Sequence, residues 1–380
     1  MNTQRTYRIG IDARFYRKSA AGVGRYTREL LSHIFTIDHQ NEYFVFLTEA
    51  DIAEWTISQP NVHPVVVKAA HYTLKEQTEF LRTLYAHKLD LVHFLQFNHP
   101  ILYTKPFVTT LHDLTLLHFR KPESPVKAFV RSTGFKVTMS HALKAAKKVI
   151  AISEYTAQDA ERTMSLSHAK MNVIYEGMPQ AIQLLPGAKD AVRKYIGTSD
   201  PYFLYVSDWR PHKGLVTLID AFTDFKEKTK LPHKLLLCGS QTVVSDEIRE
   251  RLISSPFASD IIAPGFVPEE LLPAVFHYAT ALVVPSEYEG FGLPVLEGMM
   301  YQTVVIASDA TSLPEIGGDA ALYFPVRDSA ALAKRMTEVV TSFDNLAYLK
   351  KVEKHLRKFS WTKCAEQTLD TYYSVLEKRR

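Results

Sequence analysis

The chain has 380 residues, 46% of them apolar and 23% charged, without a low-complexity tract, which suits two globular domains of ordinary size. Apolar runs of only a few residues exclude a membrane span. The opening residues Met1 to Arg8 hold no signal-peptide core, and Cys238 and Cys364, the two cysteines, lie far apart in no ligand spacing, so a cytoplasmic protein without a zinc site is expected. The net charge of +4 is uneven: residues 1–180 carry 22 Lys+Arg against 16 Asp+Glu and 11 of the 15 histidines, whereas the remainder carries 23 against 25. That excess is too mild for nucleic acid but suits an anionic acceptor or membrane surface.

The first half alternates short apolar runs with longer mixed segments. Strands are predicted at 7–13, 43–47, 64–68, 90–94, 107–111, 149–153 and 173–175, and helices at about 23–34, 75–87, 125–146 and 155–164. Such alternation predicts a parallel sheet covered on both faces. The first strand runs through Ile9-Gly-Ile-Asp-Ala-Arg14 into a loop and then Gly22-Val-Gly-Arg-Tyr-Thr-Arg-Glu-Leu30. Glycines before a helix let a phosphate approach the backbone. As a dinucleotide fingerprint the run lacks its third glycine, which is Thr27, and it begins well past the strand end. With Glu49 as the ribose acid, a dehydrogenase is a subordinate alternative.

The strand at 107–111 ends in His112-Asp113-Leu114-Thr115. His112 at a strand's carboxyl end is either a cleft residue or a buried structural one; Asp113 orients it or caps the next turn, and capping is the preferred reading. Residues 120–148 hold eight Lys/Arg and one acid, Glu123. They form either a solvated helix face or a dock for an anionic membrane or lipid-phosphate acceptor.

Turn signals at Glu176-Gly-Met-Pro179 and Leu185-Pro-Gly187 close the first series, and the pattern restarts. Strands are predicted at 202–206, 234–238, 260–263, 281–284, 304–307 and 321–324, and helices at 215–228, 245–253 and 269–277. Two successive doubly wound domains, joined near 176–195 with a cleft between them, are expected, with ligands outside the strands' carboxyl ends. Trp361 precedes an amphipathic closing helix.

The richest stretch is Val284-Pro-Ser-Glu-Tyr-Glu-Gly-Phe-Gly-Leu-Pro-Val-Leu-Glu297. It joins a buried strand to a helix with Pro294 in its first turn, where a missing N–H costs nothing. Gly290 and Gly292 bare backbone at the helix mouth, and Glu289 and Glu297 flank it. Donors beside two acceptors suit a ligand rich in hydroxyls and phosphate. A lone acid at a helix start would more often merely complement the dipole. Earlier, Ser207-Asp-Trp-Arg-Pro-His-Lys-Gly214 places Lys213 at a strand-to-helix turn, by itself the setting of a solvent-exposed lysine. The chain holds no Asp-x-Asp pair, P-loop or nucleophile elbow.

Two glutamates eight apart around Gly-Phe-Gly-Leu-Pro closely resemble the E-x7-E motif of glycosyltransferase family 4, the retaining GT-B enzymes. The opening Ile-Asp-Ala-Arg…Gly-Val-Gly-Arg-Tyr is similar to that of bacterial mannosyltransferase-like members. Pro264-Gly-Phe-Val-Pro-Glu-Glu-Leu271 and Ser308-Asp-Ala-Thr-Ser-Leu-Pro-Glu315 resemble two further family segments, so the likeness runs from Ile9 to Trp361. It implies a GT-B fold: an acceptor-side Rossmann-like domain over 1–185, a nucleotide-sugar domain over 186–360, and a helix over 361–380 returning to the first domain. It implies catalytic roles for His112, Glu289 and Lys213, and donor contacts from Gly22, Gly24, Arg210, Lys213, Phe266, Val267, Glu289, Gly290, Phe291, Gly292, Leu293 and Glu297. Within these, Glu289 would hold sugar hydroxyls, Glu297 the ribose, Lys213 the diphosphate, and the 264–271 turn the base.

The sequence departs from the family at Asp208, where many members carry an Arg, leaving Arg210 as the substitute cation. It departs again at Met299-Met-Tyr-Gln302, where relatives place a small residue and a Gly. The expected activity is retaining, metal-independent transfer of a hexose, with mannose from GDP-mannose favoured, to a glycan or lipid-linked acceptor. No cofactor and no metal are expected, and the location is cytoplasmic with peripheral contact at the inner membrane face. The alternatives are an epimerase or phosphorylase of the same fold, or a non-catalytic sugar-binding scaffold.

Overall fold

The structure, a computed structural model, describes residues 5–119, 125–178 and 183–377, the side chains of 125–133 excepted. Of the basic stretch at 120–148, Arg120, Lys121 and Glu123 lie outside the described residues, as do the side chains of Lys127 and Arg131. The chain forms two units. One runs to Gly177 and resumes at Phe359, and the other spans Met178–Lys358.

The first unit is built on seven parallel strands: β1 (Arg8–Asp12), β2 (Glu42–Leu47), β3 (Val62–Val66), β4 (Leu91–Phe94), β5 (Phe107–Leu111), β6 (Lys148–Ala151) and β7 (Met171–Val173), in the order β3-β2-β1-β4-β5-β6-β7. The second carries β8 (Tyr202–Val206), β9 (Lys234–Cys238), β10 (Ile261–Gly265), β11 (Ala281–Val284), β12 (Val305–Ser308) and β13 (Leu322–Phe324), ordered β10-β9-β8-β11-β12-β13. Both start at a central strand, wind to one edge, and jump back across that strand to wind the other way. This is the doubly wound Rossmann order, and it opens a crevice where the winding reverses, at β1/β4 and at β8/β11. The central strands β4, β5 and β11 are buried at every residue, as continuous apolar runs with helices on both faces must be.

Apolar spacing explains the helices that cover them. In the helix Ala21–Ile37, Tyr26, Leu30, Leu31, Ile34 and Phe35 share the buried face. The C-terminal helix Trp361–Leu376 buries Trp361, Cys364, Ala365, Thr368, Leu369, Tyr372 and Leu376 at the same period, and Ser360 caps its start. It packs on the helix Ala21–Ile37 and so belongs to the first unit, as the family's fold implies. Polar contacts fix its seat: Tyr372 Oη is 2.6 Å from His93 Nδ1, Asn41 donates to the Tyr373 hydroxyl at 2.8 Å, and Asn172 donates to Thr371 Oγ1 at 2.9 Å.

Local differences from the sequence reading have identifiable causes. The helix predicted from about residue 23 begins at Ala21, so Gly22 as well as Gly24 lies in its first turn. The preceding turn doubles back so closely that a Cβ on Gly24 would sit 2.6 Å from the Arg17 carbonyl oxygen. The predicted helix at 75–87 begins with a π-helical turn, Glu76–Phe80, which places Glu76 on the buried Arg14 guanidinium at 2.7 Å. Residues 188–196, expected within the joining segment, form a helix whose Val192 and Ile196 enter the second core. The helices Ser329–Thr341 and Asn345–Leu356 were not anticipated.

Burial holds three first-unit histidines neutral. Desolvation pushes His93 down to about 3, His71 to about 4 and His99 to about 4, each also opposed by a nearby positive or imidazole group. Above about pH 6.5 the folded and unfolded chains both leave these rings uncharged. As pH falls below that value the unfolded chain takes up protons the folded unit refuses, so stability declines on the acid side by about 1.4 kcal/mol per pH unit for each ring. His93→Gln should therefore flatten the acid-side slope by about one proton's worth when calorimetric unfolding is followed from pH 6.5 to 4.5. An unchanged slope would show that His93 does not carry it.

Candidate active site

In the second unit the winding reverses between β8 and β11, so the loops after these strands face one another. The β8 loop runs Ser207 to Gly214, and Trp209 within it is buried. It ends in a 3-10 turn, Pro211–Lys213, and then Gly214 at φ +73, where the helix Leu215–Thr229 begins. A Cβ on Gly214 would collide with the Pro285 carbonyl oxygen, so only glycine lets the two loops close on one another. The Glu287 N–H then donates to the His212 carbonyl at 2.8 Å.

This approach brings Lys213 Nζ to 2.7 Å from Glu289 Oε1, with both side chains only 12–14% exposed. Ser286 Oγ donates to the same carboxylate oxygen at 2.8 Å, and the Glu289 N–H donates to Thr311 Oγ1 at 3.0 Å. Ser312 Oγ reaches the carbonyls of Glu289 at 3.0 Å and Phe291 at 2.9 Å. Four residues, Lys213, Ser286, Thr311 and Ser312, thus fix one carboxylate and the loop that bears it. His212, whose carbonyl joins the two loops, has its proton affinity lowered by burial and by the Lys213 charge, so it adds no second cation there.

Gly292, at φ +102, precedes the helix Leu293–Met300, with no side chain capping its first turn and Pro294 within that turn. The positive end of its dipole sits at the crevice beside Glu289, and within the turn the Val295 N–H bonds back to the Gly292 carbonyl at 3.0 Å. Glu297 lies one turn into the helix and is buried at 8% exposure. The turn after this helix passes through φ +62 at Gln302, a left-handed conformation that glycine adopts freely. The departure from a glycine there is absorbed as backbone strain, remote from Lys213 and Glu289.

Other expected residues are placed differently. Arg210 is half exposed and lies 3.3 Å from Asp208, which holds it as an ion pair of its own loop. Phe266 is 85% exposed beside a hollow lined by Gly239, Ser240, Gln241 and Pro264 at the ends of β9 and β10, whereas Val267 is buried in the core.

In the first unit His112 follows β5. Its Nε2 is 2.9 Å from the Leu95 carbonyl oxygen and its Nδ1 is 3.8 Å from Glu176 Oε1. Asp113 accepts from the Thr115 N–H at 2.8 Å, just before the turn Thr115–His118, whose N-cap position is Leu114 and carries no side-chain cap. Among the described residues no cluster of three or more His, Cys, Asp or Glu stands ready to hold a metal.

Residues 20–180 match the family model of Glycosyltransferase Family 4, and residues 189–355 match that of Glycosyl transferases group 1, in the order in which the two units are built. The chain belongs to glycosyltransferase family 4. This glycosyltransferase is 28% identical over 273 residues to the O-antigen chain mannosyltransferase B of Escherichia coli, covering 70% of this chain and 69% of that one. It is equally 28% identical over 299 residues to the alpha-maltose-1-phosphate synthase of Mycolicibacterium smegmatis, covering 72% and 74%. Its fold matches that of Anabaena HepE in complex with UDP-glucose with a TM-score of 0.73 at 18% identity, over 97% of this chain and the whole of that one, and is GT-B. With membership in a transferase family established, the dehydrogenase alternative lapses.

Sequence reasoning on the glycosyltransferase missed the residues that hold Glu289. Ser286, Thr311 and Ser312 are small hydroxyl residues after strand ends, and their only signal is that position. Glu176 was read as part of a turn, yet it is buried beside His112.

Proposed function

We propose that this glycosyltransferase moves mannose from GDP-mannose to a hydroxyl of a glycan or lipid-linked acceptor, with retention of configuration and without a metal. The observation that carries the donor site is the Lys213–Glu289 contact beside an uncapped helix start at the β8/β11 crevice. A diphosphate needs a cation and N–H donors, and a hexose needs a fixed acceptor for its hydroxyls; both stand there within one bond of each other. On this reading the donor splits the ion pair, its diphosphate taking Lys213 and its sugar hydroxyls taking Glu289. Glu297 receives the ribose, Phe291, Gly292 and Leu293 offer backbone N–H groups, and Phe266 flanks the base. His112 and the Gly22–Gly24 turn are the donor-contact candidates of the first unit. Retention follows from a front-face displacement: the acceptor oxygen attacks the anomeric carbon on the face the diphosphate leaves, and a departing phosphate oxygen takes the acceptor proton. Lys213 stabilises the charge on that leaving group.

Likeness to the E. coli mannosyltransferase supports mannose. Likeness to a maltose-1-phosphate synthase supports a second reading, a glucosyl donor. A thermal-shift panel of GDP-mannose, UDP-glucose and ADP-glucose separates them, since a ligand at a hundred times its Kd stabilises by about 2.7 kcal/mol. GDP-mannose should give the largest shift. The product anomer, read by NMR in the presence of EDTA, should keep the donor's α configuration. A β product, or loss of turnover in EDTA, contradicts the mechanism.

We also propose peripheral binding at the cytoplasmic face of an anionic membrane. In the described part of the helix Pro125–Ala145, Lys136, His141 and Lys144 surround the half-exposed Val137, joining positive charge to apolar surface. At about 1 kcal/mol per lysine near such a surface, Lys136→Glu with Lys144→Glu should weaken binding to phosphatidylglycerol vesicles by at least about thirtyfold. Co-sedimentation equal to the unsubstituted protein would refute this.

A further inference from the structure

At the reversal point of the first unit, the segments that follow β1, β3 and β4 bring Arg14, His71, Tyr72 and Asn98 together. Arg14 is buried and each of its side-chain nitrogens donates. Nε and Nη2 reach the two Asp12 oxygens at 2.8 and 2.7 Å, Nη2 also reaches Glu76 Oε1 at 2.7 Å, and Nη1 the Ala69 carbonyl at 3.0 Å. Glu76 Oε2 accepts the Tyr72 N–H at 3.0 Å and so holds Tyr72 at φ +61, a left-handed conformation that a tyrosine rarely adopts.

Two side chains of this cluster have polar atoms without a hydrogen bond. Asn98 is 1% exposed, and neither its amide nitrogen nor its oxygen has a partner. His71 stacks on Phe15 with ring centroids 3.8 Å apart; neither ring nitrogen has a partner, and Nδ1 stands 3.6 Å from Glu76 Oε1. Burial and the Arg14 charge push this imidazole down to about 4, so near neutral pH it offers one donor and one acceptor. The Asn98 amide offers two donors and an acceptor more. Leaving such groups unpaired is costly, and a hydrogen-bonding ligand removes that cost. The Tyr72 phenol stands against the Asn98 amide outside hydrogen-bond geometry, and its ring lies 6.5 Å from His71. That ring is 59% exposed, so it can turn away from both without leaving a core.

Charge selects among ligands. The charged groups acting on His71 and Tyr72 are Arg14 and Arg17 against Asp12, Asp51, Glu76 and Asp113. Arg14 is shared by two carboxyl groups, and Arg17 pairs with Asp51 at 3.1 Å, so neither arginine is left over for a phosphate. A hydroxyl, which donates and accepts at once, matches both unpaired groups, and an aromatic ring suits the apolar face of a sugar.

We propose that Asn98 and His71, under Tyr72, form a subsite for an uncharged pyranose. The Tyr72 side chain turns aside and packs on the sugar ring, while sugar hydroxyls bond the amide and the imidazole. In the proposed glycosyl transfer this pyranose is the terminal sugar of the acceptor. That assignment rests on the glycosyltransfer reading; the binding of a pyranose in the first unit does not.

The test titrates the isotope-labelled, ligand-free protein with methyl α-mannopyranoside, methyl α-glucopyranoside and inorganic phosphate, each to about 100 mM, because a few hydrogen bonds give millimolar affinity. The Asn98 side-chain amide signals, identified by Asn98→Asp, should shift with at least one pyranoside, together with the Tyr72 ring signals, and stay in place with phosphate. Asn98→Leu removes the unpaired amide. It should weaken pyranoside binding about tenfold and raise the KM of methyl α-mannopyranoside as acceptor by a similar factor, with the donor KM within about twofold and the Tm not lowered. Asn98 signals that neither pyranoside moves, a shift driven by phosphate, or a lower Tm in Asn98→Leu with pyranoside binding retained overturns the proposal. Pyranoside binding at Asn98 without any transferase turnover leaves the subsite standing and removes its reading as the acceptor site.

Discussion

One hydrogen-bonded ion pair, Lys213 Nζ to Glu289 Oε1 at 2.7 Å, joins the two loops that face one another at the β8/β11 crevice. Neither residue gains this geometry from its own loop alone. Lys213 is delivered by a turn that only glycine can end against Pro285, and Glu289 is held by Ser286 and Thr311. The pair is mostly withdrawn from water, so it lies between an exposed pair, worth at most about 1 kcal/mol, and a buried one, where removing one partner costs about 3–5 kcal/mol. A ligand that engages only the lysine leaves a half-buried carboxylate unmatched. On the proposed reading a nucleotide-sugar offers a group to each partner, so the pair would favour the whole donor over its nucleotide part.

The position of that pair follows from topology. In a sheet that winds outward from a central strand in both directions, the loops at the reversal point diverge and leave space, while loops elsewhere pack on their neighbours. Both units have the order that creates such a point. In the second it holds a cation, two carboxylates and an open helix start. The first unit holds the buried His112–Glu176 pair beside β5. Tyr26, which stands on His112, also reaches 5.9 Å from Trp361, so the C-terminal helix helps form the floor under that pair.

Much of this was legible in the residues. Strands 202–206, 234–238 and 281–284 were bounded to the residue, because continuous apolar runs between polar turns have few other solutions. The E-x7-E stretch marked the helix mouth, and Pro294 with Gly292 marked where its helix begins. Tertiary contacts were not legible. Gly22 read as the end of a loop, yet it lies in the helix's first turn, and close approach of the Phe15–Ala20 segment is what requires Gly24. Arg210 read as a free cation because its pairing with Asp208, two residues away, depends on the turn between them. Glu176 carried only a turn signal, since its burial against His112 is set by strands far away in sequence.

Isothermal titration of the Glu289→Gln protein, with free GDP and with GDP-mannose, probes the ion pair most directly. If the ion pair holds Lys213 back from a diphosphate, releasing it should tighten free GDP by about fivefold, the equivalent of about 1 kcal/mol, while GDP-mannose gains nothing or weakens because its hydroxyls lose their acceptor. Unchanged or weaker GDP binding in Glu289→Gln would contradict the account, because Lys213 would then be as available to a diphosphate with its partner as without it.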